Sequence, residues 1–257
     1  MKNLFIRIIT ATTYIAMVVV NFLANSLPIN NRSTGVISDA YPNLFAPAGL
    51  TFSIWGLIYL LLAGYVFYQF IFFEKEGTPQ KERLLKRINI LFIITSLANI
   101  SWIFAWHYDF IGMSVFIMAL LLILLIKINN ITHAEQFTLQ EKILISIPFS
   151  VYFGWITVAA IANITVFLVS IGWNGFGIID YVWTSIILLV GALIGVLRMC
   201  KDKNIAYGLV FVWAYLGILL KHLSVSGFNG QYPSIITTVI ACLILFIFFI
   251  VRIFYKK

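Results

Sequence analysis

The sequence predicts an all-α polytopic membrane protein with eight transmembrane helices, and three observations carry that reading. Of the 257 residues, 62% are hydrophobic and only 10% charged, with a mean hydropathy of +1.02. Water-soluble globules do not have this balance. Apolar segments long enough to cross the ~30 Å hydrocarbon layer recur along the whole chain. Finally, the 17 Lys and Arg residues fall almost wholly in alternate gaps between these segments, with only Arg32 and Lys221 in the others. Basic residues beside short loops are retained in the cytoplasm during insertion, so both termini are expected there.

The spans follow in order as 4–26, 49–73, 88–106, 110–128, 143–169, 179–198, 205–222 and 233–254. Each must be helical, because lipid offers no partner to an open backbone. Span 1 also reads as a secretory signal, with Lys2 and Arg7 as its basic end and 24–26 as a processing site. Its apolar stretch is long for a signal, so retention is expected. The loop after it, 27–48, carries Pro28, Pro42, Pro47 and Gly35, which make it irregular, together with Val36, Ile37, Tyr41, Leu44 and Phe45, which need burial. Ordered loops of this length are often lids. Between spans 2 and 3, EKEGTPQKERLLKR (from Glu74, including Lys75) reads as a mixed-charge cytoplasmic linker. Spans 3 and 4 are separated only by 107–109, a tight helical hairpin.

The net charge of +8 is accounted for by this topology: the positive residues line cytoplasmic loops, Lys257 included, and face anionic lipid. It therefore does not indicate nucleic acid. Cys200 at a span edge and Cys242 inside an apolar run imply neither a disulfide nor a metal site. No span holds a charge near its middle, which argues against ion-coupled pumping. Asp180, Lys221 and His222 fall at span ends and read as interfacial groups. No zinc, phosphate-loop or nucleophile-elbow motif occurs, and no catalytic residue is assigned.

What remains is aromatic and amide chemistry. Trp106, Trp173 and Trp183 suit an aromatic belt. Trp55 and Tyr59 are four apart in span 2, Asn99 and Trp102 three apart in span 3, and Trp155, Ala159 and Asn163 recur every four in span 5. Each set lines one helix face. Counted from the expected outer ends, Trp55, Asn99 and Asn163 lie about 9–11 Å deep. Such a level suits an apolar ligand with a few polar atoms. It equally suits helix–helix packing, with Asn99 and Asn163 bonding across the bundle.

These residues also carry a family resemblance. FSIWGLIYLLLAGYVFYQF from Phe52, ANISWIFAW from Ala98 and YFGWITVAAIANIT from Tyr152 resemble the second-, third- and fifth-helix signatures of the TspO/MBR family. These are the tryptophan-rich sensory proteins that include the mitochondrial translocator protein. The likeness covers about residues 1–170. In departure from the family, the Pro before the fifth-helix Trp is displaced to Pro148, and Ala63 replaces a Gly. The resemblance implies a five-helix bundle over 1–170 with an outer lid at 27–48, followed by three additional transmembrane helices in 171–257.

It further implies a ligand cavity lined by Trp55, Asn99, Trp102, Trp155, Ala159 and Asn163; Tyr59 joins them by its spacing from Trp55. Family members bind tetrapyrroles, sterols or synthetic aromatic ligands. The expectation is therefore a membrane-embedded binding protein, transporter or sensor for a small apolar ligand, with a porphyrin or haem as one ligand. It would sit in a bacterial plasma (inner) membrane, contact the lipid bilayer, and be open to homo-oligomerisation. One alternative is an accessory subunit docking a partner through the small-residue face of Gly191 and Gly195. Another is a membrane enzyme acting on its bound ligand, using Asp39, Asp180 or His222.

Overall fold

The computed structural model describes residues 4–27, 29–71 and 78–256. Lys2, Pro28, Glu74, Lys75 and Lys257, and the last residues of the second span, lie outside them. Among the described residues eight helices are long and apolar enough to cross a membrane, as the hydropathy predicts. We label them α1 (Leu4–Ser26), α2 (Ile54–Ile71), α3 (Pro79–His107), α4 (Ile111–His133), α5 (Ile147–Ser170), α6 (Asp180–Asp202), α7 (Ile205–Leu223) and α8 (Pro233–Tyr255). There is no strand among the described residues.

The largest departure from the sequence reading is at α3. Hydropathy begins it at residue 88, but the helix begins at Pro79, so most of the expected linker is helical. The start is written locally. The Thr78 side chain accepts from the Lys81 backbone N–H, and Pro79 occupies the first helical position, where its missing N–H costs nothing. A hydropathy window discards these charged first turns because they do not belong in lipid, although nothing stops them from being helical.

Helix α5 shows a second local device. A capping box between Thr138 and Glu141 opens the segment, and one π-helical turn, Lys142–Ser146, leads into α5. Pro148 lies just beyond this turn. A proline there has no N–H to give the carbonyl of the preceding turn, and a widened turn is one way a helix accommodates that loss.

The chain forms two compact units: Met1–Thr34 with Trp55–Phe153, and Gly35–Ile54 with Gly154–Lys257. This division falls inside α5. In the first unit α3 is the central helix, packed along both α1 and α4. Its core holds an aromatic triad from three helices. Tyr65 and Phe149 lie 4.9 Å apart, Phe92 and Phe149 5.3 Å, and Tyr65 and Phe92 5.9 Å, all edge to face. All three are fully buried. A polar cluster adjoins it: the Tyr65 hydroxyl donates to Asn89 Oδ1 (2.6 Å), and Asn89 Nδ2 donates to Gln69 Oε1 (2.5 Å). Near the start of α3, Lys81 Nζ lies 2.6 Å from Glu141 Oε1, which also accepts from the Tyr68 hydroxyl.

The second unit packs α6, α7 and α8 against one another. Glycines make this possible. A Cβ on Gly195 would stand 2.7 Å from Phe211 Cδ1 and 3.0 Å from Phe246 Cε1, and one on Gly191 2.8 Å from the Tyr215 hydroxyl. That hydroxyl instead donates to the Leu188 carbonyl at 2.6 Å. The Gly191/Gly195 face expected to dock a partner helix is thus filled from within the unit.

The loop after α1 is ordered and divided. Its first part belongs to the first unit: Asn30 Nδ2 donates to the His107 carbonyl (2.9 Å), and Arg32 pairs with Asp109. Its second part, 35–53, is laced along α7 in the second unit. The Ala48 N–H donates to the Gly217 carbonyl (3.0 Å), Trp213 Nε1 donates to the Thr51 carbonyl (2.9 Å), and His222 Nε2 lies 2.9 Å from the Leu44 carbonyl. Lys221 Nζ completes the seam at 3.3 Å from Asp39. Gly217 is required here, since any Cβ would collide with the Thr51 side chain. The described part of the loop is thus fastened first to the end of α3 and then to α7.

Candidate functional site

Within the first unit, residues from α1, α2, α3 and α5 meet in one layer of amides, hydroxyls and aromatic rings. Asn99 is its hub, fully buried on α3. Its Oδ1 accepts from Asn21 Nδ2 at 2.7 Å, and its Nδ2 donates to the Tyr152 hydroxyl at 3.0 Å. Asn21 also donates to the Met17 carbonyl of its own helix at 2.9 Å. A buried amide in lipid must find such partners, because an unmet donor costs about 1–3 kcal/mol.

The α2 face adds the rings. Trp55 and Tyr59, one turn apart, stack with centroids 5.6 Å apart and planes 22° from parallel. Trp55 also meets the Tyr152 ring edge-on at 5.9 Å. Both α2 rings are half-buried. The Tyr59 carbonyl accepts from the Tyr14 hydroxyl at 2.8 Å, which ties α1 to α2. The Tyr59 hydroxyl itself is shielded from solvent and has no hydrogen-bond partner among the described residues. It is a donor on a ring stacked against Trp55, without an acceptor among the described residues.

Trp102 belongs to a neighbouring group. It stacks on Trp106 with centroids 5.3 Å apart and planes 21° from parallel. Trp106 Nε1 donates to the Thr34 carbonyl at 3.2 Å, and Trp106 is only 4% exposed. The aromatic-belt reading of Trp106 is corrected by this burial: it anchors the first part of the loop to the end of α3. Beside it His107 is fully buried, with Nδ1 lying 2.8 Å from the Ile103 carbonyl.

The structure thus brings Trp55, Tyr59 and Asn99 together around Tyr152 and places Trp102 in the adjoining stack. The remaining expected residues belong to the second unit. There Trp155 is buried, with its ring edge-on to Phe52 at 6.0 Å, and Asn163 is buried on the same helix as the half-buried Ala159. Of the acid–base candidates, Asp39 and His222 fasten the 35–53 segment to α7, and Asp180 starts α6.

Sequence reasoning overlooked Asn21, Tyr14 and Tyr152. Asn21 carried a usable signal, as an amide following the apolar run 15–20 of its span. Tyr152 sits three residues before Trp155 but was read only as part of a motif. Which tyrosine reaches an amide on another helix is not contained in spacing.

This arrangement defines a class of protein: a polytopic helical membrane protein in which α1, α2, α3 and α5 contribute to a neutral layer of amides and aromatic rings. The chain belongs to the TSPO-like protein family, whose model matches residues 7–252. The match runs through α6, α7 and α8, the helices for which the five-helix resemblance has no counterpart. No curated protein and no solved structure matches the chain. Membership in this family suggests a membrane-embedded ligand-binding or sensing role.

Proposed function

We propose that the protein binds an apolar, aromatic small molecule of the tetrapyrrole kind within the bilayer, at the layer formed by Trp55, Tyr59, Asn99 and Trp102. The observation that carries this reading is the Tyr59 hydroxyl. It is buried and without a partner among the described residues, and it lies next to the stacked indole of Trp55. A ligand carbonyl, carboxylate or ring nitrogen would satisfy it, while the rings cover the ligand's apolar faces. The membrane would be a bacterial plasma membrane, and the placement of the positive charges supports cytoplasmic termini. The accessory-subunit reading loses its main support, because the glycine face is occupied internally.

Titration of the purified protein with protoporphyrin IX, followed by Trp quenching, tests this. Tyr59→Phe should weaken binding roughly five- to tenfold, the worth of about 1–1.4 kcal/mol for one hydrogen bond. It should leave stability unchanged or slightly raised, since no internal bond is lost. Trp55→Leu should weaken both binding and quenching. Unaltered affinity in both folded variants would remove the site from this layer.

A further inference from the structure

The turn between α5 and α6, IGWNGFGII at 171–179, holds no charged residue and exposes most of its apolar side chains. Phe176 is 80% exposed, Ile179 60% and Ile171 59%. At the same time the backbone is tightly specified. Asn174 Oδ1 accepts from the Phe176 N–H at 3.1 Å, and the Ile178 N–H donates to the Gly175 carbonyl at 3.0 Å. Trp183 Nε1 donates to the same Gly175 carbonyl at 2.6 Å. Trp173 packs against Trp183 at 5.2 Å and edge-on to Phe176 at 5.5 Å. Gly175 has φ +63 and lies so close to the Trp183 indole that a Cβ would collide with it.

Phe176 sits in the left-handed region, at φ 55. That conformation suits glycine and is strained for a bulky aromatic residue. The turn already has glycines at 172, 175 and 177, and a fourth would relieve the strain. A strained residue that presents its ring outward, supported by a built set of hydrogen bonds, points to something outside the fold that the ring meets.

We propose that the 171–179 turn is a membrane anchor, with Phe176 seated in the interfacial layer of the bilayer. The occupant follows from continuity with the lipid-facing surface. Ile179, Val182, Ile186, Leu189, Leu193 and Leu197 are all exposed and recur at helical spacing down one side of α6, a span-length helix. The apolar surface of the turn is the end of that stripe. Trp173 and Trp183, half-buried behind it, are the residue type that settles at the headgroup level. Lipid contact at this depth would fix the height and tilt of α6.

The test places a single cysteine at the turn, Phe176→Cys, in a background of Cys200→Ser and Cys242→Ala. An environment-sensitive fluorophore is attached, and the full-length protein is reconstituted into phosphatidylcholine/phosphatidylglycerol nanodiscs. A matched Glu135→Cys label, on an exposed charged position, reports the aqueous reference. The label at 176 should emit to the blue of the reference. It should also be quenched by lipids spin-labelled near the headgroup and protected from aqueous iodide. Iodide quenching equal to the reference, with no effect of spin-labelled lipid, would overturn the anchor. So would protection from both quenchers together with a dimer in solution, which would assign the surface to a second copy. Phe176→Asp, read by flotation and thermal stability in the same discs against detergent, guards against an effect of the label. It should destabilise the protein in discs only, and equal loss in both media would refute the proposal.

Discussion

Replacing Asn99 with Leu removes the two bonds that join α1 and α5 through α3. Side-chain hydrogen bonds between membrane helices are worth on average about 0.6 and at most about 1.7 kcal/mol. Two of them amount to about 1–3 kcal/mol by the same measure. The partners fare differently afterwards. Asn21 keeps its bond to the Met17 carbonyl, whereas the Tyr152 hydroxyl is left buried, adding a penalty of about 1 kcal/mol or more. The expected loss is therefore about 2–4 kcal/mol in total. Equilibrium unfolding in detergent measures it, and a double-mutant cycle with Tyr152→Phe identifies its source. Tyr152→Phe alone should cost about 1 kcal/mol, but in the Asn99→Leu background it should cost nothing or restore stability. The coupling energy should reach about 1–2 kcal/mol. Additivity within about 0.5 kcal/mol would refute the Asn99–Tyr152 bond, and with it the layer as described.

Three further variants probe packing and charge. Gly195→Ala should cost about 1–3 kcal/mol, because its Cβ meets two fully buried rings, Phe211 and Phe246. Gly56→Ala, on a helix with nothing within 4 Å of the new carbon, should be stabilising by about 0.4–1 kcal/mol, both variants being read by equilibrium unfolding in detergent. Lys81→Ala leaves the Glu141 carboxylate, with only 5% of its side chain exposed, without its cation. A loss up to about 3 kcal/mol is expected, reduced because Lys81 is itself about one-third exposed. Adding Glu141→Gln should recover most of it, and a failure to recover would show that the pair is not what holds that end of α3.

How much could be read beforehand varies by element, and the reasons are physical. The eight spans were legible because lipid penalises both charge and unpaired backbone, and these penalties are written in composition. The start of α3 was missed because hydropathy reports on the solvent and not on helicity; the Thr78–Pro79 cap was the signal that would have found it. Periodicity placed Trp55 and Tyr59 on one face of their helix, and a common depth placed Asn99 beside them; the structure links these residues through Tyr152. Their hub contact with Tyr152 was not legible, because Asn99 and Tyr152 are 53 residues apart and the hydroxyl end of a tyrosine reaches well beyond its own turn. Trp106 was misjudged for a related reason: a tryptophan at a span end looks the same whether it faces headgroups or, as here, a carbonyl from the loop.

The sequence by itself determined that this chain is helical, that it crosses a membrane eight times, and that it has a tryptophan and asparagine pattern like that of the TspO/MBR proteins. These are consequences of solvent chemistry and helical periodicity, which act locally and need no partner. Tertiary structure decided which amides satisfy one another, which glycines are filled from inside, and that the Tyr59 hydroxyl is left without an acceptor among the described residues. Those outcomes depend on distances between side chains on different helices. A one-dimensional pattern places residues on faces, but only the packed bundle decides what each face meets.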